Sequence, residues 1–144
     1  FKKSIYFKQS SMTDTKNKTP IEIIIGFSDI VDIKIAEKCL NMVNNKLPIN
    51  TQIINQSGGE RQRLLFASKL YKIFLRKIQS GTNSNMIKFF IIDEGDTNLD
   101  LNSYNKILQN ILKEFINLQI IFTTHKSNLF THDSIQTIDI TSYV

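Results

Sequence analysis

Two adjacent acids, Asp93 and Glu94, close an apolar run at residues 87–92. A hydroxyl and two glycines, Ser57-Gly58-Gly59, stand immediately before a long apolar pattern. Successive side chains on a strand diverge, so adjacent acids at its end can do different work. One can hold Mg2+, usually through water, while the next reaches a second water as general base. A small residue and two glycines at a helix start let the backbone come close to a ligand. They also leave unpaired N–H groups at the positive end of the helix dipole, a natural place for a phosphate. Each feature has a plainer reading, since Ser-Gly-Gly is an ordinary way into a helix and acids at a strand end can simply be solvated. His125, after Thr123-Thr124, adds an imidazole able to donate to a phosphate oxygen, although a lone His is often a surface or cap residue. His132 has no such setting and receives no role.

Positioning these groups requires a layered α/β arrangement. Residues 4–8 read as a short strand, 9–20 as a polar loop and 21–25 as a better strand stopped by Gly26, the two strands pairing as an antiparallel hairpin. Residues 29–46 are ambiguous. Val31, Ile35, Cys39 and Met42 fall at helical spacing, Ile30 and Ile33 would also suit a strand, and a helix ending near Asn45 is favoured. Residues 51–54 read as a short strand. From 60 to 78 apolar residues occupy most of a helix circumference, which predicts a helix buried on more than one side. A loop at 79–85 leads to a strand at 87–92, nearly continuous in apolar character and expected to be covered on both faces. A helix at 101–115 follows, with Asp100 or Asn102 near its start, then strands at 118–122 and 134–140. This order argues for an α/β layer with a parallel component.

The 144 residues, 41% hydrophobic and 22% charged, suit one globular domain or a large piece of one. The net charge of +5 would suit nucleic acid or nucleotide phosphates, though many unrelated domains share it. The single cysteine, Cys39, cannot form an internal disulfide and reads as a buried structural thiol, as in a reducing compartment. No apolar run approaches the ~18 residues of a membrane span, and no basic-then-apolar leader is present. An intracellular protein, cytoplasmic or nuclear, is expected. The start at Phe1 suggests a fragment or processed product.

Together these pieces resemble the C-terminal portion of the nucleotide-binding module of ATP-binding-cassette (ABC) ATPases. Ser57-Gly58-Gly59-Glu60, continued by Arg61-Gln62-Arg63, is similar to the signature motif. Residues 89–94 are similar to the Walker B strand with its catalytic glutamate, Thr97-Asn98-Leu99-Asp100 to the D-loop, and Thr124-His125 to the switch histidine. The match covers residues 56–126; the first 50 residues match no motif. It implies the C-terminal lobe of a P-loop NTPase, with residues 1–55 leading to the signature and 56–144 carrying the chemistry. It also implies ATP and Mg2+. Asp93 would position the metal, Glu94 would polarise the attacking water, and His125 would sense the γ-phosphate. Ser57, Gly58, Gly59 and Glu60 would meet ATP held by a partner copy, and Asp100 would communicate across that dimer.

Gln56 replaces the usual signature leucine, and Gly95-Asp96 stand where transporters show Pro and Thr. No G-x-x-x-x-G-K-[ST] loop is present, so an N-terminal half carrying Walker A is an expected partner. Asp93-Glu94-Gly95 and the Thr-Asn-Leu-Asp turn are similar to the SMC and SbcC-type repair ATPases, where a coiled coil separates the two halves. The favoured expectation is therefore a DNA-repair or chromosome-type head that dimerises and clamps DNA beside a nuclease subunit. The alternatives are an ABC transporter subunit, a non-hydrolysing ATPase-like module, and a metal nuclease using Asp93, Glu94, Asp96 and Asp100.

Overall fold

The computed structural model describes residues 3–8, 17–53, 55–79, 87–125 and 136. Its longest element is the helix α3 (Gly58–Gln79); the others are β1 (Ser4–Lys8), α1 (Pro20–Ile25), α2 (Ile33–Met42), β2 (Phe89–Asp93), α4 (Leu101–Glu114) and β3 (Gln119–Phe122). The circumferential apolar pattern of α3 has the expected consequence. Leu64, Phe66, Ala67, Leu70 and Tyr71 are fully buried, and different sides of the helix meet different elements. Phe66 stacks on Phe7 of β1 at 4.3 Å between ring centres and meets Phe90 of β2 edge-on at 6.4 Å. Further along, Phe74 packs against Phe115 at 4.8 Å, just past the end of α4. Aromatic pairs at these separations add roughly 0.5–1.5 kcal/mol each beyond their buried area.

The strands form one parallel sheet in the order β1-β2-β3, with Ile5 opposite Phe90 and Phe90 opposite Ile120. The expected hairpin between residues 4–8 and 21–25 is not formed. Residues 21–25 belong to α1, and β1 pairs with β2 instead, so the N-terminal part is not antiparallel. Local chemistry explains the difference. Thr19 Oγ1 accepts from the Glu22 N–H at 3.3 Å, Glu22 Oε2 accepts from the Thr19 N–H at 2.7 Å, and Pro20 follows the cap, a reciprocal helix start that the isoleucines' strand propensity does not overcome. Ile23, Ile24 and Ile25 are buried in the common core. Asp32 caps α2 by accepting from Ile35 N at 3.0 Å, so the helix starts later than expected and Val31 lies outside it, 66% exposed; it ends at Met42, shortly before Asn44 takes a left-handed backbone at φ 52°. Residues 51–53 form no strand, although the Ile53 N–H bonds the Lys18 carbonyl at 3.0 Å. The strand expected at 134–140 falls outside the described residues.

The tyrosine hydroxyl of α3 ties down the approach to α2. Tyr71 donates to the Ile30 carbonyl at 2.9 Å and accepts from the Asp32 N–H at 2.8 Å. Between α2 and α4, Lys38 pairs with Glu114 at 2.6 Å while lying over the Phe74 ring, and Asn110 donates to the Met42 carbonyl. Cys39 is buried beside this clasp, and desolvation pushes its thiol up to about 12, so it is inert at neutral pH.

The two faces of the sheet differ. Phe7, Phe90 and Ile92 point to the helices and are fully buried. Tyr6, Phe89 and Ile121 lie on the opposite face, 49%, 38% and 47% exposed, so β2 is covered on one face rather than on both. Asp93 lies on this open face, at the carboxyl edge.

Candidate functional site

The site forms where the parallel strands end, the edge at which open α/β sheets bind ligands. Parallel register brings Lys8 opposite Asp93 and places Tyr6 and Asp93 on the same face. The Tyr6 phenol donates to Asp93 Oδ2 at 3.0 Å, and Thr123, just beyond β3, donates to Asp93 Oδ1 at 2.8 Å. Both donors favour the ionised acid. Thr123 first, and Tyr6 second, hold Asp93 below the usual carboxylate range, while the same bond raises the Tyr6 phenol.

Glu94 points elsewhere because its backbone leaves the strand in the left-handed region, at φ 50°. That conformation costs an ordinary residue about 1–2 kcal/mol, so surrounding bonds must hold it. The Glu94 N–H bonds Thr123 Oγ1 at 3.1 Å, and its carbonyl accepts from Thr97 N at 3.3 Å. Its carboxylate reaches His125, with Oε1 3.0 Å from Nε2. The next residue has to be glycine. A Cβ at Gly95 would collide with the Ile92 Cγ2 methyl and lie 2.9 Å from the Phe66 ring. Asp96 is 5% exposed and accepts from the Thr124 hydroxyl at 2.9 Å. Asp100 caps α4, accepting from Ser103 N at 2.8 Å; the Ser103 bonds keep its carboxyl low. The four acids of the nuclease alternative are thus each engaged with different partners, and among the described residues no group of three or more His, Cys, Asp or Glu gathers as a metal site.

The signature stretch begins α3 with a capping box. Ser57 Oγ accepts from Glu60 N at 3.2 Å, and Glu60 Oε2 accepts from Ser57 N at 2.9 Å. Glu60 is therefore a helix-start residue here. Because the Ser57 oxygen already accepts, its proton is available to donate outward. The glycines lie inside the first turn, and their small size serves an intramolecular approach. A Cβ on Gly58 would lie 3.1 Å from Asn98 Cγ, and one on Gly59 would lie 3.0 Å from the Asn98 carbonyl. Asn98 itself has φ 62°. The signature tip and the D-loop turn thus touch within one chain.

Of the residues expected from sequence, Asp93, Glu94 and His125 converge at the sheet edge, whereas Gly58 and Gly59 lie against Asn98 and Ser57 bonds Glu60 within its own turn. Asn98, from the turn the sequence already marks, completes the arrangement together with Tyr6 and Thr123, to which the sequence assigns no role. The register that brings Tyr6 to Asp93 is non-local and leaves no local signal. Thr123 lay beside a recognised motif. The residues fit a magnesium ion, which usually takes one or two carboxylates and completes its shell with waters and phosphate oxygens. Asp93, whose ionised form is favoured by its two hydroxyl donors, could supply such a ligand.

This parallel sheet, with an acid pair at its carboxyl edge, a histidine on the neighbouring strand end and a glycine-started helix against the following turn, is similar in fold to an ABC-type lobe. The likeness is to part of a bacterial Atm1-family ABC exporter with ATP bound, with a TM-score of 0.65, 20% sequence identity and 87% of this chain covered. The chain spans 21% of that exporter's length. No family model matches the sequence, and no curated protein matches it significantly. Among the described residues no helix is long and apolar enough to cross a membrane.

Proposed function

We propose that this chain is the signature-and-acid half of an ABC-type ATPase, which hydrolyses ATP at a site shared between two copies. The observation that carries this reading is the Glu94–His125 contact at 3.0 Å, beside an Asp93 whose two oxygens are each held by a hydroxyl. Phosphoryl transfer asks mainly for positioning and charge stabilisation, and these residues are built for positioning. Asp93 holds an outward negative charge for a hydrated Mg2+. Glu94 accepts a proton from an attacking water, and His125 keeps that carboxylate aligned. Ser57 and the Gly58 and Gly59 N–H groups donate to a phosphate brought by the partner copy, to which Asp100 is adjacent through the D-loop turn. Bound Mg–ATP would supply the transferable phosphoryl group and the neutralisation of its charge.

The open face carrying Tyr6, Phe89 and Ile121 supports a Walker A half as the missing partner, because parallel sheets are covered on both sides. The exporter's likeness over 87% of the chain is the observation behind the transporter-type alternative. The DNA-clamping reading, with DNA and a nuclease subunit as partners, rests on the resemblance of its motifs alone.

The test is phosphate release by the complete protein with Mg2+ and ATP, for the wild type and for Glu94→Gln. The wild type should turn over, and Glu94→Gln should retain ATP without hydrolysing it. Normal turnover by Glu94→Gln would sink the assignment, and a wild type that binds without turnover would support the non-hydrolysing module.

A further inference from the structure

Gln62 lies in the second turn of α3 and is 1% exposed. Its Nε2 donates to the Gly95 carbonyl at 3.1 Å, whereas Oε1 is buried with no hydrogen-bond partner among the described residues. A buried amide with an unmet acceptor is a poor choice for packing alone, where an apolar side chain of the same length would serve better. The bond it makes falls on the carbonyl next to Glu94, within a turn already held in a strained backbone conformation. Thr123 and Thr124 anchor the same turn from just beyond β3, at the Glu94 N–H and the Asp96 carboxylate. Gln62 anchors it from the signature helix, five residues after Ser57.

Resting on the ATPase reading above, we infer that Gln62 is a positioning residue that holds Glu94 in its working orientation and ties that orientation to the start of α3. Two neighbouring contacts make the tie stiff. Arg63 donates to Ser103 Oγ at 2.9 Å, and Asn98 lies against Gly58 and Gly59. A shift of the signature tip on meeting a partner's phosphate therefore moves the Gly95 carbonyl, and with it the Glu94 carboxylate facing His125. One chain's signature contact thereby adjusts the acid of that same chain, which serves the other nucleotide.

The experiment compares wild type, Gln62→Met, Gln62→Glu and Glu94→Gln in the complete protein. Gln62→Met keeps length and loses the donor. Its kcat should fall about 10- to 100-fold, the scale of a displaced catalytic group, with the KM for ATP and the melting temperature nearly unchanged. Gln62→Glu can donate to Gly95 only when protonated. Its kcat should follow one added titration, active on the acid side and failing on the alkaline side, and absent from wild type and Gln62→Met. Without nucleotide, amide exchange at residues 94–99 should quicken in Gln62→Met while α4 stays protected. Unchanged kcat and exchange in Gln62→Met, or equal losses in both variants at every pH, would overturn the inference. Should wild-type phosphate release prove independent of Glu94, the ATPase reading fails instead, and the nucleotide-free exchange still decides whether Gln62 holds the turn.

Discussion

The turn after β2 and the tip that starts α3 touch each other, yet they are held in opposite ways. The turn from Glu94 to Asp100 is anchored from three other elements: Thr123 and Thr124 after β3, Gln62 of α3, and Ser103 of α4 through the Asp100 cap. Gly95 and Asp96 within it are buried. The tip at Ser57 and Gly58 is exposed, and the reciprocal bonds between Ser57 and Glu60 are its own local support. The acid half of the site is thus prepared inside the chain, whereas the signature half presents donors outward. This difference is what a composite site would require.

The largest effect should come from the prepared half. Glu94→Gln keeps the shape of the turn and removes the base, so hydrolysis in the complete protein should drop about 10²–10⁴-fold while ATP binding survives. Gly95→Ala should come next, as a stability loss of about 1–3 kcal/mol, because its methyl meets Ile92 and Phe66 in the packed core. Thermal unfolding measures it, and an undiminished melting temperature would mean that the turn is not confined as described. Ser57→Ala should cost less stability, about 1 kcal/mol, the usual value of a lost helix cap, but should lower ATP-driven dimerisation. A Ser57→Ala loss larger than that of Gly95→Ala would reverse the contrast between the two regions.

The smallest effect is a titration. Asp93 is depressed in the folded chain, so the stability it contributes is present above its unfolded value near pH ~4 and is lost as pH falls through the lower folded value. Thr123→Val should raise the Asp93 titration toward the ordinary range more than Tyr6→Phe does, because the Thr123 bond is the larger cause. Carbon-detected NMR of the carboxyl group reads this order directly.

Much of the prepared half was legible in the chain. The apolar run before Asp93-Glu94 announced a strand, though β2 is covered on one face only, the circumferential pattern of α3 announced a buried helix, and the motif order singled out the acids and His125 that the fold brings together. The N-terminal third was not legible in the same way. Ile21-Glu22-Ile23-Ile24-Ile25 has the composition of a strand, and the helix signal sits just before it, in Thr19-Pro20 with Glu22. The pairing of β1 with β2 spans more than eighty positions, so nothing local announces that Tyr6 reaches Asp93. The two glycines of the signature read as room for a ligand, and their nearest neighbour is Asn98, whose left-handed backbone has no composition signal beyond Asn itself.

The central claim is that the signature of one chain serves the acids of another, and mixing two inactive variants tests it most directly. Glu94→Gln and Ser57→Ala of the complete protein, each too slow to turn over alone, are combined so that subunits exchange, and phosphate release is measured. In a mixed dimer one site carries both lesions and the other carries neither. Activity should therefore return, to about a quarter of the wild-type rate for random pairing in a two-fold dimer. If the mixture stays as inactive as its parents while mixed dimers form, each chain's signature acts on its own acids, and the composite site is contradicted.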